Sequence, residues 1–573
     1  MIASVQRRLL LLSSAFALVS CASTAPPETP ASVYSDYLIG RYADLTREPA
    51  AAADRYFNAL KVVPKDAVLL DNAVESAVAA GDLDRAAQAA RLAQRNGARV
   101  ELGRLTLGAL ALRQARYADS RQQLGELMGS SFDRVAARVM IAWALAGEGR
   151  TDAAVERLTE SADNAPFARL LDGQRSLLLD YAGRTDAALA GYARGERAGV
   201  RLPPAVLAHG ELLERLGRKD EAIALYADFL ENGDEPSIAA ALARAKAGGA
   251  PPAKSIANPA QGAGIGLYAL AGALLGQTDP AYYMPYLTLS LSLDPDLENA
   301  RLIYSEGLRE SGRVDEARAT LEKIPETSPA YALAQTRIAW LWRQAGDDDR
   351  ALAVARAIAA KTNDRMARLT LADLERANER WSEAEKLYDG LLQEASGPGP
   401  NDWALLYARG AVRERLGRWP EGEADLKAAL KLSPDEPEVL NYLGYAWVDQ
   451  GVHLEQGLEL LQKAVSLEPE SGYIVDSLGW AQFKLGDYRG AVETLERAVE
   501  LMPDDWTLND HLGDAYWKLK RRAEARFQWE RALSQGPAPG EQARIAAKLK
   551  EGLPETPPRR ARGESASAAA RAK

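Results

Sequence analysis

Gly149-Arg-Thr-Asp-Ala-Ala154, Gly183-Arg-Thr-Asp-Ala-Ala188 and Gly217-Arg-Lys-Asp-Glu-Ala222 are one phrase written three times at a spacing of 34 residues. Gly81-Asp-Leu-Asp-Arg-Ala86 and Gly312-Arg-Val-Asp-Glu-Ala317 carry the phrase outward in both directions. The step from Ala86 to Ala154 is twice 34, with Ser120 in the slot between, and one step back from Ala86 falls on Ala52. The register returns at Ala317, Ala351, Ala384, Gly422, Gly457, Ala491 and Ala525, in steps of 34, 33, 38, 35, 34 and 34. With a degenerate unit around Tyr283 there are about fourteen units, and a period of this length is the signature of a stacked repeat.

Each unit reads as a helix hairpin. Apolar residues recur three and four apart, so each helix has one stripe to bury. Gly81, Gly149, Gly183, Gly217, Gly312, Gly346, Gly417, Gly451 and Gly486 follow the first helix, where a left-handed residue closes it. Pro64, Pro295, Pro329, Pro434, Pro469 and Pro503 end the second helix. The small residue of the phrase lets the two helices approach closely. A lone hairpin cannot bury its own apolar face, so the units must stack.

The last units resemble the tetratricopeptide repeat. Asn509, Leu512, Gly513, Tyr516, Ala525, Trp529 and Pro537 follow its pattern, with Asn at the first place where the family has a large residue. Val475, Leu478, Gly479, Ala491, Leu495 and Pro503 follow it in the preceding unit, and Leu440, Leu443, Gly444, Trp447 and Pro469 in the one before. Earlier units match mostly through Gly and Ala. The resemblance, over roughly residues 33 to 540, implies an all-α right-handed superhelical solenoid whose first helices line a concave groove.

The phase slips once. Ala222 to Tyr283 is 61 residues, 27 more than a period, and the excess falls where Gly248-Gly-Ala-Pro-Pro252 and Asn258-Pro259 break helices. The expected organisation is therefore an N-terminal array over 33–235, a Gly/Ala/Pro-rich loop over 236–263 and a C-terminal array over 264–540. A short helix and a disordered basic tail are expected over 541–573.

The first residues read as a targeting signal. Arg7 and Arg8 precede an apolar run from Leu9 to Val19 that is too short to span a bilayer. Leu18-Val19-Ser20-Cys21 resembles the lipobox of bacterial lipoproteins. That resemblance implies a signal peptide over 1–20, a lipid on Cys21 and a flexible tether over 21–32. Cys21 is the only cysteine of the chain, so it has no internal disulfide partner. Ala22 after it implies, by resemblance to enterobacterial sorting, the outer membrane, with the protein facing the periplasm.

Little in the sequence points to chemistry. The three histidines, His209, His453 and His511, fall in different units, and no His-Glu-x-x-His or cysteine cluster is present. Gly262, Gly264 and Gly266 lack the strand and the spacing of a dinucleotide loop. A net charge of −10 argues against nucleic acid, which needs a basic face. No enzyme activity, metal, cofactor or small-molecule substrate is expected.

Tryptophan is unevenly placed: ten of eleven lie from Trp340 onward, and Trp143 stands alone before them. The places that the resemblance assigns to the groove hold Tyr407, Asn441, Tyr445, Tyr473, Asp476, Trp480, Phe483, Lys484, Asp510, Trp517 and Lys518. Tyr and Trp make binding hot spots because they offer large area with few rotors. The Lys/Asn carboxylate clamp of chaperone-binding members is missing, since Asp476 and Asp510 stand where it needs cationic or amide groups.

These readings lead to a non-catalytic protein-binding scaffold or adaptor on the periplasmic face of a Gram-negative envelope. Leu440-Asn-Tyr-Leu-Gly-Tyr-Ala-Trp-Val-Asp449, Tyr473-Ile-Val-Asp-Ser-Leu-Gly-Trp480 and Asn509-Asp-His-Leu-Gly-Asp-Ala-Tyr-Trp517 resemble envelope adaptors that deliver substrates to carboxyl-terminal processing proteases. The alternative is an assembly scaffold for a pilus, barrel-assembly or polysaccharide-export machine of the outer membrane. A helical enzyme is the third reading.

Overall fold

The computed structural model describes residues 30–553 apart from 126, 128, 160–166, 198–200, 232, 363, 395–398 and 400. The expected signal peptide, Cys21, most of the tether and the basic tail lie outside the described residues. Among the described residues there are 30 α-helices and no strand. The chain divides into two compact units, one ending at Leu341 and one beginning at Trp342. Neither expected array boundary falls there.

The hairpins are those the period predicts. Ala67–Ala79 pairs with Leu83–Arg95, Ser131–Gly147 with Thr151–Thr159, and Gly472–Leu485 with Tyr488–Leu501. The turn after a first helix takes a left-handed residue, with φ +76° at Gly149 and +72° at Gly183. Where the register supplies no glycine the same geometry persists, at Ala115, Glu379 and Lys520 with φ of 55°, 59° and 65°. Hairpin packing therefore imposes the turn even against the cost a side chain brings to it. The small residue of the phrase is buried throughout, from Ala52 to Ala525. At Gly422 a Cβ would stand 2.7 Å from the Gly410 carbonyl oxygen, and one on Gly444 2.8 Å from that of Gly457, so a side chain there would force the paired helices apart.

The loop expected over 236–263 is mostly helix. Pro236–Ala247 is helical, and a second helix, Pro259–Gly272, begins before the expected end. Glu235 and Asn258 accept hydrogen bonds from the backbone at Ser237 and Gln261, each side chain starting a helix that has proline in its first turn.

Pro259–Gly272 and its partner Pro280–Leu293 pack against first helices laid down much earlier. These are Ala67–Ala79, Glu101–Arg113, Ser131–Gly147 and Ala168–Tyr181. The Tyr286 hydroxyl donates to Asp133 Oδ1 at 2.9 Å across 153 residues. Arg313 donates to the Ala79 carbonyl at 2.9 Å across 234, and Arg47 to the Glu310 carbonyl at 2.8 Å across 263. The three glycines that looked like a nucleotide loop are contact points in this packing. Gly262 faces the Trp143 indole, Gly264 approaches the Ser290 carbonyl, and Gly266 faces Val139 and Gln174.

A candidate protein-binding face

The first helices of the N-terminal unit thus spend their apolar stripes on the unit's own residues 259–293. Trp143 is fully buried there, its Nε1–H donating to Gln174 Oε1 at 2.9 Å. Burial without that acceptor would leave the indole N–H unsatisfied.

In the C-terminal unit, the helices Trp403–Arg415, Pro437–Gln450, Gly472–Leu485 and Trp506–Lys518 are the first helices of successive hairpins. Three rings stack across two of them. Phe483 and Trp480 lie with centroids 4.8 Å apart and planes at 10°, and Trp480 stacks on His511 at 4.0 Å and 15°. Phe483 also meets Tyr488 edge-on at 5.4 Å. Trp480 and Phe483 are half-buried, whereas the His511 side chain is only 12% exposed. His511 is fixed by Asp476, whose carboxylate lies 2.9 and 3.0 Å from its Nδ1. Lys484 is exposed, pairs with Asp449 at 3.3 Å and stands 5.7 Å from the Trp480 ring.

The remaining expected residues divide between this face and the interior. Tyr407 meets Tyr442 edge-on at 5.6 Å, and burial raises its hydroxyl pKa. Tyr445 packs at the edge of the Val448, Leu461 and Leu478 cluster, and Tyr473 is half-buried at the start of its helix. Asn441 keeps its Oδ1 buried without a hydrogen-bond partner. Lys518 is half-buried at its helix end.

Two aspartates expected at the surface are interior. Asp476 is buried beneath His511, and Asp510 is wholly buried beneath Pro539–Glu551. Arg544 donates to Asp510 at 2.6 Å, and Lys548 Nζ bridges Asp510 (2.8 Å) and Asp514 (2.7 Å). Burial pushes the Asp510 carboxyl up, but Lys548 and Arg544 outweigh it and hold the group below its ordinary value. Asp514 stays raised, because its burial outweighs the attraction of Lys548. Trp517 is also partly covered, lying 5.3 Å from Trp529 with the Arg522 guanidinium 3.5 Å above it and Gly552 against its edge.

Sequence reasoning missed His511 as the third ring and missed the cations over Asp510. Both signals were in the register. His511 follows Asp476 by 35 residues, and Arg544 and Lys548 follow Asp510 and Asp514 by 34 each. Continuing the period past residue 540 puts Pro539–Glu551 at the place of the first helix of a further unit.

The other two histidines stand apart. His209 stacks on Tyr192 at 5.0 Å, and His453 lies 5.1 Å from Trp447. Among the described residues no group of three or more His, Cys, Asp or Glu side chains is placed to hold a metal ion. None of the helices described is long and apolar enough to cross a membrane.

Residues 306–365, 369–437, 407–471 and 477–540 match the family model described as tetratricopeptide repeat. A TPR repeat-containing protein of Pseudomonas aeruginosa is 28% identical over 191 residues, covering 33% of this chain and 26% of that protein. Superkiller complex protein 3 of Mus musculus is 28% identical over 224 residues, covering 38% of this chain and 14% of its own length. The chain thus spans about a quarter or less of these curated relatives. Among solved structures, that of the Cut9–Hcn1 hetero-tetramer of the APC/C matches 91% of this chain and 96% of its own, with a TM-score of 0.40 and 16% identity.

Proposed function

We propose that this chain, an all-helical array carrying tetratricopeptide repeats in its C-terminal half, is a non-catalytic scaffold that captures another protein on its C-terminal first helices. The observation that carries the proposal is the stack of Phe483, Trp480 and His511 from two successive hairpins, in which Trp480 and Phe483 are half-buried and the largely buried His511 backs them. Phe483 borders the hydrophobic cluster around Val475, Leu495 and Leu512, while Trp480 and His511 carry the stack beyond it. Stacked aromatics left partly open to water are the kind of surface on which binding energy concentrates.

Replacing Trp480 and Phe483 together by Ala should abolish capture of a partner from detergent-solubilised envelopes. Each hot-spot truncation costs ~2 kcal/mol or more, roughly thirtyfold in affinity. Helical signal and melting are read beside binding. Loss of binding with unchanged melting supports the face, whereas loss of both makes the rings part of the packing and sinks the proposal.

The same reading places the protein in a Gram-negative envelope, held to the outer membrane by a lipid on Cys21 and facing the periplasm. Delivery of substrates to a carboxyl-terminal processing protease is the role we favour, supported by the resemblance of residues 440–449 and 473–480 to such adaptors. Cells fed labelled palmitate should incorporate label into the native chain and none into Cys21→Ala. Equal labelling of the two would end the anchor assignment.

A further inference from the structure

The first described helix, Pro30–Leu45, carries a surface that the ring platform does not use. Tyr34, Leu38, Tyr42 and Leu45 are 70%, 64%, 67% and 76% exposed. Steps of four, four and three put them on one stripe of the helix. The opposite side is built into the fold. Ala43 belongs to the core of the first hairpins, Val33 and Tyr37 pack against it, and Gly40 lies against the Tyr56 ring.

Both carboxylates of the helix are engaged away from the stripe. Asp44 accepts from the Tyr56 hydroxyl at 2.6 Å and from Ser76 Oγ at 2.9 Å, and Asp36 pairs with Arg55 at 3.3 Å. The other exposed residues within the helix are Ser35, Ile39 and Arg41. The outward face is therefore apolar, with two tyrosines and no carboxylate, and with Arg41 at its edge, whose guanidinium also acts on Tyr56 and Glu75.

We propose that this stripe lies in the headgroup region of a lipid bilayer, so that the first helix seats the array on the membrane surface. Tyrosine is the residue of the membrane interface, leucine partitions into the acyl boundary, and a cation at the edge meets anionic headgroups. A second copy of the chain suits the face less well. One stripe of one helix falls short of the roughly 800 Å² per partner that stable interfaces bury. Distance fits as well: Tyr34 follows Cys21 by thirteen residues, a reach of at most about 45 Å even fully extended. Delivery to the bilayer rests on the lipid-anchor reading, whereas the chemistry of the stripe does not.

The test uses the mature chain from residue 21 with Cys21→Ser, so that no lipid is attached, floated with vesicles of phosphatidylethanolamine and phosphatidylglycerol. Binding should be measurable and should fall at least tenfold in Tyr34→Gln/Leu38→Gln/Tyr42→Gln/Leu45→Gln. Val68→Gln, which removes an exposed apolar side chain elsewhere, should leave it unchanged. Arg41→Glu is a second, milder variant and should weaken binding to these vesicles. Circular dichroism checks that each variant stays folded. The proposal is overturned by equal binding of the parent and the fourfold variant, or by no binding of the parent at about 1 mM lipid. A dimer in light scattering that the fourfold change splits would give the stripe to a second copy and overturn it too. Because no arm depends on acylation, failure here is distinct from failure of the anchor assignment, which the palmitate label reads.

Discussion

Replacing Lys548 by Met should loosen the last hairpin by about 3–5 kcal/mol at neutral pH, the usual cost of removing one partner from a buried ionic cluster. Lys548 is 7% exposed, and its ammonium donates to both oxygens of Asp510 and both of Asp514. Arg544 is shared between Asp510 and the half-exposed Glu541, both at 2.6 Å, so removing the ammonium leaves the buried pair Asp510 and Asp514 short of positive charge. Arg544 still serves Asp510, while Asp514 retains only the Trp529 Nε1–H at 2.9 Å. Methionine keeps the length of the side chain, so the loss is electrostatic more than steric.

The pH dependence separates these causes. Without Lys548 the Asp514 carboxyl, already raised by burial, moves further up in the folded state. A carboxyl whose folded pKa lies above its unfolded value costs stability at pH above that folded pKa, and the cost fades as pH falls through it. The deficit of Lys548→Met against the parent should therefore be largest at alkaline pH and shrink as the pH falls. A deficit that stays flat with pH would assign the effect to packing. Hydrogen exchange over residues 506–551 is the suitable readout, because repeat arrays open locally at their ends. Lys550→Met, at an exposed residue of the same helix, should change exchange within about 0.5 kcal/mol.

The cluster also marks where sequence reading stops. Period and phase were legible, since each hairpin must offer its apolar stripe to the next at a fixed spacing. The fate of a polar residue was not. Asp476 and Asp510 sit on first helices among surface-type residues, and polarity alone assigns them to the groove. Each is instead buried by a partner one period away, which local pattern does not contain. The same limit governs 236–263. Gly costs a helix roughly 1 kcal/mol relative to Ala, so a Gly- and Pro-rich run reads as a loop. Gly262 and Gly266 stay in a helix because side chains from Ser131–Gly147 and Ala168–Tyr181 occupy the space a Cβ would need. Composition records that cost without recording the contact that offsets it. The Phe483 and Trp480 pair was legible from spacing on one helix, but its third ring required knowing that successive first helices lie side by side.

Truncating Trp143 to Ala should cost about 3–5 kcal/mol, as large aromatic truncations in a closed core do. The indole has no exposed surface, meets Tyr181 edge-on at 5.7 Å and donates to Gln174, whose Oε1 would lose that bond. Gly262→Met alone should also destabilise, by about 1–3 kcal/mol or more, because even its Cβ would collide with the Trp143 ring. The two losses should not add. In the Trp143→Ala background the side chain at 262 has a cavity to enter, and methionine is the residue best able to fill an irregular one. A coupling of about 0.5–3 kcal/mol in the favourable direction is expected from neighbours sharing one space. Urea midpoints of the four proteins give the cycle, with unchanged slopes required before the differences are read as free energies. Strict additivity would mean that Pro259–Gly272 does not rest on Trp143. Favourable coupling would mean that the N-terminal first helices are closed by the chain's own hairpin, so that the proposed capture of a partner falls to the rings of the C-terminal unit.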